Sequence, residues 1–128
     1  MESTLIAPDA ADEIVTTART AIGDSLRSIT YFTRDDFEQL YLRADLERDA
    51  DLSGFIGNEW RGFKITQDAY RGSELGDYEY TIRAFKNGYL VRVTTDRDGV
   101  FVTTDGLTMQ DFETVAVALD EMLRRHEN

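Results

Sequence analysis

Asp49-Ala50-Asp51-Leu52-Ser53-Gly54 places acids at positions one and three, a hydroxyl at five and glycine at six of a twelve-residue loop. An EF-hand begins this way, because calcium takes hard oxygen ligands and the glycine makes the sharp turn. The pattern then stops. Position twelve, where a bidentate Glu belongs, is Trp60, and Glu59 stands one residue early. The flanking stretches are also poor EF-hand helices. The stretch reads better as a helix start with acids in its first turn, and no metal site is assigned to it.

Arg83 and Arg92 form the second constellation. Both fall on one face of a strand pair, and the Asn87-Gly88 turn signal between them predicts that they lie directly opposite each other. Like charges so placed repel unless an acid, an anion or a partner lies between them. The plain reading is two solvated arginines; the sharper one is an anion or partner contact. Glu59, Glu79 and Asp105 are the acids that could serve them.

Other catalytic chemistry finds little footing. There is no cysteine, which removes disulfides and thiolate zinc sites, and the single histidine, His126, sits in the terminal tail. Gly72-Ser73-Glu74-Leu75-Gly76 lacks the central serine of a nucleophile elbow, and no glycine-rich phosphate loop follows a strand. Asp35-Asp36 and Asp96/Asp98 are turn acids of the kind that close Asx-turns. No catalytic residue and no cofactor are assigned.

These residues are positioned by a meander from Tyr78 to Asp105, YEYTIRAFKNGYLVRVTTDRDGVFVTTD. A loop at Asn87-Gly88 would pair Lys86 with Tyr89, Ala84 with Val91 and Ile82 with Val93. Period-two alternation puts Tyr78, Tyr80, Ile82, Ala84, Tyr89, Val91, Val93, Val100 and Val102 on one face. The other face carries Glu79, Thr81, Arg83, Phe85, Leu90, Arg92, Thr94, Phe101 and Thr103. Asp96 to Gly99 makes the second turn; its two-residue version would set Asp105 beside Arg92.

Upstream, residues 1–8 read as a loose arm. Ala11, Ile14, Val15, Ala18, Ala21 and Ile22 recur at helical spacing, which predicts a helix over 10–22 with Asp9 as N-cap and Gly23 as stop. Residues 24–33 and 37–43 read as an antiparallel strand pair, apolar on both faces and so covered on both. Residues 44–63 fit a helix through Leu46, Ala50, Ser53, Ile56, Trp60 and Phe63. Gly54, Gly57 and Gly62 weaken that helix by roughly 1 kcal/mol each. The glycines mark either close packing against another backbone, with Gly54 and Gly57 suiting a second subunit, or a break near Asp49–Ser53 between two short helices; Trp60 and Phe63 stand either in the core or as anchors of an interface. Residues 64–77 read as a loop. Met109, Phe112, Val115, Ala116, Leu119, Met122 and Leu123 predict a final helix over 109–125, capped by Thr108.

With 128 residues the chain suits a single domain with a real core. It carries 25 acids against 14 bases, for a formal net charge of −11. That disfavours nucleic acid and anionic membranes as partners. There is no long apolar run for direct membrane insertion and no signal-peptide pattern, so the expected location is cytoplasmic. Lysine is scarce beside arginine and the acids are dispersed. Such a surface suits molar salt, where charge screening shortens to a few Å, and predicts a halophilic source.

The element order α-β-β-α-β-β-β-α resembles that of roadblock/LC7 domains in the profilin-like group. GDSLRSITYFTRDDFEQLYLR, YEYTIRAFKNGYLVRV and DGVFVTTDGL resemble segments of an uncharacterised family of short haloarchaeal proteins. The roadblock resemblance implies an α+β fold, a five-stranded antiparallel sheet of order 2-1-5-4-3 with helices on both faces. It also implies a homodimer joined through the middle helix and the third strand, with Tyr78 and Tyr80 on that strand as interface candidates beside Gly54, Gly57, Trp60 and Phe63. Such domains act as platforms or regulators of small GTPases. The leading expectation is therefore a non-enzymatic homodimeric interaction or scaffold module, with a small GTPase as its partner. The alternative is a small-ligand sensor domain, with a pocket lined by Tyr31, Tyr41, Arg83 or Arg92; an enzyme ranks third.

Overall fold

The computed structural model describes residues 5–34, 36–45, 65, 68–76, 78–95, 97–106 and 109–125. The expectations resting on the Asp49–Gly54 loop, on Gly57, Glu59, Trp60 and Phe63, and on the Thr108 cap lie outside the described residues. Helix α1 spans Pro8–Ile22. Strands β1 to β5 are Leu26–Thr33, Phe37–Leu42, Thr81–Phe85, Gly88–Thr94 and Asp98–Thr104, and helix α2 is Met109–Arg125. The strands form one antiparallel sheet in the order β2-β1-β5-β4-β3. This is the expected α+β architecture, a five-stranded sheet flanked by helices.

Helix α1 starts two residues earlier than its apolar spacing predicts. Ala7 is the N-cap and makes no side-chain cap bond, while Pro8 opens the first turn and Asp9 lies inside it. Proline fits there because its missing N–H needs no partner and its φ is already helical. Asp9 therefore complements the positive helix end rather than capping it. Gly23 stops the helix at φ 57°, its N–H donating to the Arg19 carbonyl. The arm before the helix is not wholly loose, since Leu5 and Ile6 pack against the core.

The main core lies between α1, α2 and one sheet face. Ile14, Ala18, Ile29, Val91, Val93, Val100, Val102, Val115 and Leu119 are all buried within it. Tyr89 meets Phe112 edge-on at 5.0 Å, and Arg125 reaches Glu13 at 3.1 Å to tie the two helices. Met109, expected in the helical stripe, is 70% exposed at the helix start. On the opposite sheet face Phe32, Leu90 and Phe101 form a smaller buried cluster with Phe37 against it.

The meander keeps its predicted faces but changes its register. Phe85 pairs with Gly88, Ala84 with Tyr89 and Ile82 with Val91, so the hairpin loop is Lys86-Asn87. The shift is two residues, and with a period of two every side chain stays on its face. Gly88 explains the displacement: a Cβ there would lie 2.4 Å from the Thr104 carbonyl oxygen. Glycine is needed for close approach of β4 to β5 rather than for the turn. The next hairpin pairs Thr94 with Gly99, and the Thr95 N–H donates to the Asp98 carbonyl at 2.7 Å. Arg92 thus faces Phe101 on that side, and Asp105 does not come beside it.

Candidate functional site

The two edges of the sheet differ. In β2, Ile29 pairs with Tyr41 and Thr30 with Gln39, which leaves Leu40 as an extra residue in a bulge. Bulges twist an edge away from further pairing. Leu40 and Tyr41 consequently both pack toward the main core, and Arg19 of α1 sits 5.3 Å over the Tyr41 ring. Strand β3 pairs with β4 without a shift from Thr81 to Phe85. Its burial falls from half-buried at Thr81 and Ile82 to exposed at Arg83, Ala84 and Phe85, the last 52% exposed. Among the described strands, β3 is the edge that pairs in regular register and is exposed at Arg83, Ala84 and Phe85.

The start of that edge is anchored by Arg92, which is 1% exposed. Its Nη2 donates to the Tyr78 hydroxyl at 2.7 Å and to Thr81 Oγ1 at 2.9 Å, and its guanidinium lies 6.0 Å from the Tyr78 ring centre. The Tyr78 and Thr81 hydroxyls also bond to each other. Planar stacking and a donor fork suit arginine to such a site. The hydroxyls thus do for Arg92 part of what the sequence assigned to an acid. Tyr78 is drawn to the Arg92 face, away from the face that alternation predicts. Tyr80 keeps its face and packs on the core with Ile82. Burial raises the Tyr80 phenol above its usual pKa, with the charges of Glu113 and Glu79 adding to it.

Arg83 is not opposite Arg92. It pairs with Leu90, and Arg92 with Thr81, because the loop moved by one position in each strand. Arg83 lies on the exposed half of β3. The sheet also separates the residues of the expected ligand pocket: Tyr31 and Tyr41 pack with the helices, whereas Arg92 lies on the other face.

Asp105 serves a different pair. It accepts from Arg43 Nη1 at 2.7 Å and from Arg27 Nη1 at 3.2 Å, joining the ends of β1, β2 and β5. The Arg43 bond, opposed by burial and supported by the Arg27 bond, holds its carboxyl below the usual range. A buried node closes the β4–β5 turn. Tyr31 Oη donates to Asp98 Oδ2 and Thr95 Oγ1 to Asp98 Oδ1, each at 2.7 Å. The sequence named Asp98 as a turn acid but held no sign of its tie to Tyr31. The Leu40 bulge was detectable: three successive apolar residues, Leu40-Tyr41-Leu42, break the strand period.

No group of three or more potential metal ligands occurs among the described residues. No described helix is long and apolar enough to cross a membrane.

Two solved structures have a similar fold. One is MglB in a tetrameric arrangement, with a TM-score of 0.67 at 11% identity, covering 98% of each chain. The other is the gliding protein MglB from Thermus thermophilus, with a TM-score of 0.67 at 11% identity, covering 98% of this chain and 99% of that one. At this identity the likeness establishes the fold, which is roadblock/LC7-like. No curated protein matches the sequence. The family match spans residues 12–124, and the chain belongs to DUF7522, a domain of unknown function.

Proposed function

We propose that the protein is a non-enzymatic interaction module that assembles with a second copy of itself along the β3 edge. The observation that carries this is the contrast between the edges: β2 is bulged, whereas β3 is in regular register and exposed at Arg83, Ala84 and Phe85. Strand addition to such an edge supplies its main chain with a second strand's donors and acceptors. The tetrameric arrangement named for one structure of similar fold supports self-association as a property this architecture can host.

The roadblock resemblance adds a partner, a small GTPase docked on the assembled module. Expected acidity-driven behaviour follows from the net charge of −11: a halophilic, cytoplasmic setting where molar salt screens self-repulsion.

Amide hydrogen exchange tests the self-association. Protection across residues 81–85 should rise with protein concentration while that of 37–42 stays fixed. Concentration-independent exchange at both edges would refute assembly through β3. For the GTPase, co-elution of the pure module with a purified small GTPase, loaded with GDP or a non-hydrolysable GTP analogue, is expected in one nucleotide state. Absence in both states would remove that partner and leave the assembly reading intact.

A further inference from the structure

We propose that the two copies pair β3 against β3 about a two-fold axis through Thr81, placing Glu79 of each copy opposite Arg83 of the other. This rests on the β3 edge being the site of self-association, and adds the register and the residues that select the partner.

A closed dimer is two-fold symmetric. Two antiparallel strands related by such an axis lie in one continuous sheet with the axis normal to it. Opposed residues then share a face, so the axis must pass through a residue rather than between two. Tyr80 and Ile82 both pack toward the main core, which puts Glu79, Thr81 and Arg83 together on the other face by alternation. Both Glu79 and Arg83 are exposed.

Few centres remain, and their charges differ. An axis through Arg83 sets two guanidinium groups face to face, which is repulsive. An axis through Ile82 puts Arg83 against Thr81 and Glu79 against Phe85. An axis through Tyr80 puts Glu79 against Thr81, and one through Ala84 carries Glu79 beyond the overlap. The axis through Thr81 alone sets Glu79 against Arg83, twice by symmetry, and sets Tyr80 against Ile82 on the core side. Directly opposed side chains have Cβ atoms about 5 Å apart, within reach of an ion pair. Within residues 79–85 the edge is thus complementary to itself in one register. Pairing requires the strand to extend two residues before its present start at Thr81.

Charge exchange provides the test, read by light scattering and sedimentation in one buffer of roughly 0.15 M KCl, where the Debye length of about 8 Å leaves such close pairs effective. Wild type should dimerise. E79K and R83E should each weaken homodimerisation by at least about tenfold, since each converts both pairs to like charges. An equimolar mixture of the two should recover the dimer, because every opposed pair in the heterodimer is again of opposite charge. The single chain carrying E79K and R83E together should also recover it, which separates a lost contact from a lost fold; circular dichroism checks each variant. If wild type dimerises and the single variants dimerise equally well, the register is wrong while the edge assembly stands. If they are monomeric but the mixture stays monomeric, the register is again overturned. A wild type that is monomeric both in this buffer and in molar KCl removes the edge assembly and this register with it; one that dimerises only in molar KCl, where such pairs are screened, overturns the register and leaves the edge assembly standing.

Discussion

The Arg92 guanidinium is buried with its Nη2 2.7 Å from the Tyr78 hydroxyl and 2.9 Å from Thr81 Oγ1. The two hydroxyls also bond each other, so the triad connects the approach to β3 with the middle of β4. Hydrogen bonds to a charged group contribute about 1.5–3 kcal/mol each. Tyr78→Phe and Thr81→Val should each cost about 2 kcal/mol in urea unfolding. The double variant should cost about 1 kcal/mol less than the sum, because the residues share one donor. Strict additivity would show that the three groups act separately.

Tyr31 gives the protein an alkaline limit. Burial, then the hydrogen bond and charge of Asp98, raises its pKa well above the ordinary phenol value. A raised folded-state pKa means stability fully present below the unfolded value, near pH 10, and lost as pH rises toward the folded value. Unfolding midpoints should therefore fall above about pH 10. Tyr31→Phe should flatten that limb while lowering stability at pH 7 by about 1–3 kcal/mol, because Asp98 loses a donor in a buried setting. An unchanged alkaline limb in Tyr31→Phe would contradict the assignment.

Two glycines hold backbone or ring contacts that a methyl group would break. A Cβ on Gly88 meets the Thr104 carbonyl oxygen at 2.4 Å, and one on Gly99 meets Phe32 Cζ at 2.5 Å. Phe32 is fully buried and packs tilted against Phe101 at 5.9 Å, so its ring has little room to retreat. Gly88→Ala and Gly99→Ala should each destabilise by about 1–3 kcal/mol. Gly106→Ala, where a Cβ meets nothing within 4 Å, serves as the control. Equal stability of all three variants in thermal unfolding would refute the packing argument.

Face assignment was readable from the sequence because strand alternation survives a two-residue register shift. Register itself was not. Asn87-Gly88 carries a strong turn signature, yet Gly88 is held in β4 by the proximity of Thr104, a partner on the neighbouring strand. The strand order followed from the topology that the element order resembles, and the described strands have it. Asp105 was expected near Arg92, but the register sets it beside Arg27 and Arg43, at the far ends of β1 and β2. Such pairings depend on which strand ends converge. Met109 fits the helical stripe but is exposed at the start of the helix. Of the expected interface residues on the third strand, Tyr78 and Tyr80 are both half-buried in intramolecular packing. The exposed residues on and just before that strand are Glu79, Arg83, Ala84 and Phe85.

The central claim is that this chain assembles with itself through β3. The most direct measurement is the molar mass in solution, by size exclusion with light scattering in molar KCl across a range of protein concentrations. The account predicts a dimer at twice the 14.6 kDa chain mass. A mass that stays at 14.6 kDa at every concentration would contradict it.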